Sequence, residues 1–204
     1  MSLIQAIITE DFVLAGADKR EIGQSGSFSE NFNRLIKINR NIIFGCSGNM
    51  ENNEELFKDY CTFSSEGLIR TEKDIDLSYN EFIEIVSDRF QKTRIKVESN
   101  KSASYASGSI VCGFNGKEFE TTIFNLNNYA ENLNCMMKVT KSPNLPYKVI
   151  ACGNPNHLDR LNILISLYRP STILQYKNIM KIVFEEGIEF DSTINKNYCF
   201  EYIK

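Results

Sequence analysis

The feature that most constrains this fold is the opening stretch, residues 2–21, SLIQAIITEDFVLAGADKRE. Residues 3–9 and 12–17 are apolar on successive positions, and the two runs meet at Glu10-Asp11. A strand with one face in water alternates apolar and polar residues; a strand covered on both faces has no need to. Two such strands in succession demand cover from two directions. The second ends abruptly in Asp18-Lys19-Arg20, which delivers an acid and two cations to the end of a buried strand.

The remaining chain reads as the cover. Residues 19–33 are polar, with Gly23 and Gly26, and read as a loop. RLIKI (34–38) and NIIFGCSG (41–48) form a second strand pair around Asn39-Arg40. A helix is predicted from Met50 through ENNEELFKDYCTFSSEGLI. A second follows Ser78, where Ser78-Tyr79-Asn80-Glu81 matches a capping box, and its Phe82, Ile85, Val86 and Phe90 share one face. Beyond a serine-rich linker (98–107), GSIVCGF and EFETTIFNL flank Asn115-Gly116, a hairpin signal. Strands follow near 134–140 and 147–152. Then come two helices, HLDRLNILISLY and TILQYKNIMKIVFEEG, split by Pro170, and a closing strand KNYCFEYIK. This order has one economical solution. Two antiparallel sheets pack face to face with a helical layer outside each, an α+β four-layer αββα sandwich. No linker is long enough to divide the chain and no repeat is present, so residues 1–204 read as one domain.

Composition narrows the function classes. A net charge of -3 disfavours non-specific binding to nucleic acid or an anionic membrane, both of which need a basic face. No apolar run reaches ~18 residues, so no membrane span is expected. The opening run is too short and too acidic for a secretory signal, and a cytoplasmic protein with reduced thiols fits best. Six cysteines, at 46, 61, 112, 135, 152 and 199, form no CxxC pair, which argues against a zinc ribbon or redox motif. Those in apolar runs such as IVCGF read as small buried hydrophobes. The single histidine, His157 in GNPNH, stands at the start of a predicted helix and reads as a cap or surface residue. A metal site built from histidines is excluded by their number. DIDLSYNEF (74–82) partly fits a calcium loop, but Tyr79 stands where the turn needs glycine and Ile85 where a bidentate acid is needed. Neither a metal nor a cofactor is expected.

One chemistry needs no histidine. A hydroxyl at the chain's own N-terminus is activated by its own α-amine, whose ordinary pKa is about 7.7–8.0. It requires a nearby cation, an acid to hold that cation, and backbone N–H groups as an oxyanion hole. With that chemistry in view, AIITEDFVLAGADKR resembles the opening of proteasome β-type subunits and their bacterial relatives, which are N-terminal nucleophile hydrolases. Gly16-Ala17-Asp18-Lys19-Arg20 parallels the family's Ala-Ala-Asp-x-Arg, Arg34-Leu35-Ile36-Lys37-Ile38 its Lys-Leu-x-x-Ile strand, and Cys46-Ser47-Gly48 its strand end. Counted from Ser2, Asp18, Arg34 and Gly48 fall sixteen, thirty-two and forty-six positions on, the family's spacing without a gap.

The resemblance implies roles residue by residue. Ser2 would be the nucleophile after removal of Met1, Asp18 would hold the cation, and Arg34 would stand in place of the family's lysine. The Gly48 N–H would be an oxyanion-hole donor, and Arg20 would support the site. ACGNP resembles the family's Gly-Ser-Gly turn and puts Asn154 at a supporting serine. Asp191 matches the late Asp, with Ile194 where a serine is expected three positions on. Arginine keeps the lysine's charge but does not give up a proton in a protein. Three readings follow: a hydrolase of peptides, a hydrolase of small amides, or an assembly scaffold that keeps the fold without the chemistry. The family builds rings, so the resemblance also implies a homo-oligomer.

Overall fold

The computed structural model describes residues 3–22, 28–48, 50–72, 75–99, 106–127 and 135–204. In chain order its strands and helices are β1 (Ile4–Ile8), β2 (Val13–Asp18), β3 (Glu21–Ile22), β4 (Phe28–Ser29), β5 (Leu35–Asn39), β6 (Ile42–Gly48) and α1 (Met50–Phe57). These are followed by β7 (Cys61–Ser64), β8 (Gly67–Arg70), α2 (Tyr79–Ser99), β9 (Ala106–Phe114), β10 (Phe119–Asn127) and β11 (Cys135–Thr140). The last are β12 (Lys148–Cys152), α3 (Pro155–Tyr168), α4 (Ile173–Gly187) and β13 (Tyr198–Ile203).

The first hairpin is closed by Thr9, whose hydroxyl donates to the Phe12 carbonyl at 3.0 Å while accepting the Phe12 N–H at 3.1 Å. β12 pairs with β1 and β13 with β2, giving a four-stranded antiparallel sheet in the order β12-β1-β2-β13. The second sheet runs β11-β10-β9-β6-β5, also antiparallel. Every residue of β1 and β2 is buried, as their unbroken apolar runs require.

Successive side chains of those strands enter different cores. Ile4, Ala6, Ile8, Val13, Ala15 and Ala17 pack between the sheets against Ile43, Ile110 and Cys112. Leu3, Ile7 and Leu14 face the other way, against Leu161, Met180 and Phe184 of α3 and α4. A third core joins Phe44 and Val111 of the second sheet to Phe57 of α1 and Phe82, Val86 and Phe90 of α2. Three cores between four layers make the αββα sandwich. Among the described residues no helix is long and apolar enough to cross a membrane.

The helix starts follow their sequence signals. The Ser78 hydroxyl accepts the Glu81 N–H at 3.3 Å, and Glu81 Oε2 accepts the Ser78 N–H at 2.9 Å, the reciprocal capping box expected of that tetrad. α4 begins with the same device, Thr172 with Gln175. α3 ends on Arg169 in the left-handed region at φ 46°, just before Pro170.

Two expectations are corrected. The helix expected from Met50 through Ile69 ends at Phe57, and Cys61–Ser64 and Gly67–Arg70 form a hairpin in its place. Tyr60 N–H closes a tight turn onto the Phe57 carbonyl. Gly67, at φ 111°, then supplies a turn that no helix accommodates, and the Ser64 hydroxyl bonds its carbonyl at 3.1 Å. The loop expected over 19–33 also holds a short ladder, β3 with β4.

Gly16 is a point of close approach. A Cβ there would lie 2.7 Å from the Phe200 ring and 2.9 Å from Met180 Cε. Gly16→Val is therefore expected to cost about 1–3 kcal/mol through overpacking, read as a lower urea midpoint. An unchanged midpoint would show that the ring yields without cost.

Candidate active site

Asp18 is the last residue of β2 and is fully buried. Its Oδ1 accepts the Leu3 N–H at 2.7 Å and its Oδ2 accepts the Arg20 N–H at 2.9 Å. Burial pushes this carboxyl up to about 6, against the pull of the Arg34 guanidinium and of the two N–H groups, which favour the anion. The carboxylate is thus tied by one oxygen to the strand that opens the chain and by the other to the turn that follows it.

Arg34 immediately precedes β5 and is 1% exposed, unusual for an arginine. Its Nη2 donates to the Arg20 carbonyl at 2.5 Å, and its guanidinium lies 5.1 Å from the centre of the Phe32 ring. Its own carbonyl accepts the Cys46 N–H at 3.0 Å, which locks it to β6 two residues before Gly48. Gly48 ends β6 at φ 74°, a left-handed conformation that favours glycine. The strand end is fixed on both sides: the Ser47 hydroxyl bonds the Gly108 carbonyl at 3.2 Å, and Asn53 of α1 donates to the Ser47 carbonyl at 3.1 Å.

Arg20 joins these parts. Beyond its two main-chain bonds, its side chain pairs with Glu30 (Nη2 to Oε1, 2.9 Å) and donates from Nη1 to the Ser192 carbonyl at 2.6 Å. Glu30 also accepts from Asn195 Nδ2 at 2.6 Å, and this bond, followed by those from Arg20, holds its carboxyl below the ordinary value. Asn195 Oδ1 takes the Lys19 N–H at 3.2 Å. The loop after β2 is therefore stitched to residues 192–197 by side chains from both.

The other expected site residues divide. Ser2 lies outside the described residues, though Leu3 beside it is anchored on Asp18. Asn154 caps α3, with Oδ1 accepting the Asn156 N–H at 3.1 Å, so that oxygen is committed to the helix. Asp191 lies next to the residue that Arg20 holds. Its Oδ1 accepts the Thr193 N–H at 3.0 Å and the Thr193 hydroxyl at 2.5 Å. Its hydroxyl partner is thus two residues on, while Ile194, three on, is buried in the apolar core beneath α3 and α4.

His157 requires a correction. It is neither a cap nor a surface residue but fully buried, with Nε2 3.4 Å from Asp191 Oδ2 and its ring stacked on Phe190 at 4.9 Å. It opens the inward face of α3 that continues through Leu161, Leu164 and Ile165. That 3.6-residue period was the signal for its burial. Glu30 and Asn195, which complete the Arg20 network, carry no such local signal. Among the described residues no cluster of three or more His, Cys, Asp or Glu side chains could hold a metal ion.

The layering and the two antiparallel sheets are those of the αββα fold of N-terminal nucleophile hydrolases. One solved structure with this fold is that of eukaryotic HslV from Trypanosoma brucei, which superposes with a TM-score of 0.59 over 99% of this chain and 99% of its own, at 13% identity. No family model matches the sequence, and no curated protein matches it.

Proposed function

We propose that this chain is a proteasome-type N-terminal nucleophile hydrolase that cleaves peptide or other amide bonds through Ser2 once Met1 is removed. The observation that carries this reading is the buried Asp18 carboxylate, bonded to the Leu3 N–H and lying beside the buried Arg34. An acid anchored to the residue after the nucleophile, with a cation at its side, is the arrangement this chemistry needs. The spacing of Ser2, Asp18, Arg34 and Gly48 supports the same assignment.

In this reading the free α-amine takes the proton from Ser2 Oγ as Oγ attacks the amide carbon. The carbonyl π pair moves to oxygen, where the Gly48 N–H and the fixed charge of Arg34 stabilise it. The C–N bond breaks as the ammonium returns a proton to the leaving amine, and the acyl group remains on Ser2 as an ester. Water, deprotonated by the same amine, hydrolyses the ester to a carboxylic acid and regenerates Ser2. Arg34 supplies charge throughout and transfers no proton. A homo-oligomer acting in the cytoplasm, folded as a single unit, completes the proposal.

The arginine at position 34 also favours a second reading, a scaffold that keeps the fold without turnover. Intact mass and a peptide epoxyketone separate the two. The hydrolase reading expects a chain lacking Met1, one adduct on Ser2, and no adduct on Ser2→Ala. A functional protein that retains Met1, or labelling that survives Ser2→Ala, would sink it. Light scattering tests assembly, for which a monomer is the adverse result.

A further inference from the structure

A cavity between the start of β12 and helices α3 and α4 takes no part in the chemistry above. It encloses about 720 Å³. Small-molecule sites usually enclose about 300–1,000 Å³. Strand register places it at the far end of the first sheet from Asp18. Lys148, in its wall, pairs with Ile8 at one end of β1, whereas Ile4 at the other end pairs with Ala17, the neighbour of Asp18.

Local sequence builds the hollow. α3 stops at Arg169, whose N–H closes on the Ile165 carbonyl at 2.8 Å, and Pro170 prevents the helix from continuing. The segment before β12 is a compact turn, with the Leu145 N–H on the Ser142 carbonyl at 3.0 Å and Lys141 Nζ donating to the Leu145 carbonyl at 3.0 Å. Val149 of β12 and Leu158 and Ile165 of α3 give the cavity its apolar lining.

The polar groups of the lining are unevenly chosen. Among its described residues the only charged ones are Lys148 and Arg169, both exposed and both cationic. Neither side-chain cation has a hydrogen bond or ion pair among the described residues. Arg169 also holds a left-handed backbone at φ 46°, where glycine is the ordinary residue at a helix end. Arginine there keeps a cation at the cavity in spite of the backbone strain. Tyr176 of α4 is 5% exposed, its ring set edge-on to Phe12 with centroids 5.5 Å apart, but its hydroxyl has no hydrogen-bond partner among the described residues. A buried tyrosine hydroxyl ordinarily finds one. Tyr147 Oη and Ser166 Oγ lie 3.0 Å apart and share one hydrogen, which leaves the second free to donate outward.

We propose that this cavity binds a small carboxylic acid with an apolar body, its carboxylate on Lys148 and Arg169 and its body against Val149, Leu158 and Ile165. Two unpaired cations with no acid among them select an anion. The apolar lining selects a carbon skeleton over an inorganic ion. A phosphate would favour free N–H groups at a helix start, and those of α4 are engaged by the Thr172–Gln175 capping box. The proposal stands apart from the hydrolase reading, since none of these residues belongs to that site.

The test titrates the ¹⁵N-labelled full chain with 4-phenylbutyrate and with its neutral amide, 4-phenylbutanamide, and follows backbone amide shifts by NMR. The expected result with the acid is saturable shifts confined to residues 145–149 and 158–176, with the amide bound about tenfold more weakly. Lys148→Ala and Arg169→Asn should each weaken the acid about tenfold and leave the amide unaffected, asparagine being tolerated in the left-handed region. Tyr176→Phe should weaken the acid about threefold with no fall in thermal midpoint, because its hydroxyl has no partner to lose. Equal binding of acid and amide, shifts centred elsewhere, no saturable binding of the acid, or full affinity in both cation variants would overturn the proposal. Labelling of Ser2 bears on the hydrolase reading alone.

Discussion

Arg34→Met is expected to destabilise the protein by about 3–5 kcal/mol at pH 8 and by much less at pH 5. The large figure arises because methionine fills the space but leaves the fully buried Asp18 carboxylate without the cation that draws its pKa down. The small figure arises because a carboxyl already pushed up to about 6 rises further without Arg34 and is protonated at pH 5. The wild type carries a milder form of the same dependence. Asp18 binds a proton more readily in the folded state than at its ordinary 3.8, so its protonated form stabilises the fold below that value. That contribution is lost as pH rises through about 6, a change of roughly 3 kcal/mol for two units. In Arg34→Met the loss continues above pH 6. Urea denaturation at the two pH values measures this, and equal losses at both would mean that Arg34 does not act through Asp18.

Arg34→Lys is expected to speed acylation by a factor of up to about 100. A lysine ammonium at the same point keeps the positive charge beside Asp18 and adds a proton that can be exchanged, which a guanidinium cannot supply. The measurement is the second-order rate of epoxyketone labelling of Ser2 in the two proteins. Lysine does not reproduce the geometry of the guanidinium's bond to the Arg20 carbonyl, so a loss of stability of about 1 kcal/mol is expected beside the gain. A lysine variant that labels no faster would show that fixed charge alone is what the site uses at this position.

The fold was legible because its first two strands allow few solutions. Successive buried residues on β1 and β2 forced cover on both faces, and the αββα order followed from the segments left to provide it. The boundary after Phe57 was not legible, since CTFSSEGLI has no strong period, and the turn at Gly67 is held by tertiary contacts with the Asn33 backbone. Within the candidate site, Asp18 and Arg34 were singled out only by the resemblance, on their spacing from Ser2. The bond from Asp18 to the Leu3 N–H could not be read, because a backbone donor leaves no mark in a sequence. Nor could the meeting of Glu30 with Asn195, residues far apart in the chain that come together only when β13 pairs with β2. His157 was misassigned because its neighbours Asn154 and Pro155 signal a helix start so strongly that the inward period beginning at His157 was passed over.

β13 lies beside β2, with Tyr198 opposite Asp18 and the Lys19 N–H on the Asn197 carbonyl at 2.8 Å. Arg20 likewise reaches the Ser192 carbonyl. During synthesis the ribosome releases residues 18–20 long before residues 191–203. Until the later segment emerges, the acid has β1 on one side only and the arginine beside it lacks one of its anchors. The surroundings of Asp18 and Arg20 are therefore completed last, when the C-terminal strand docks on β2.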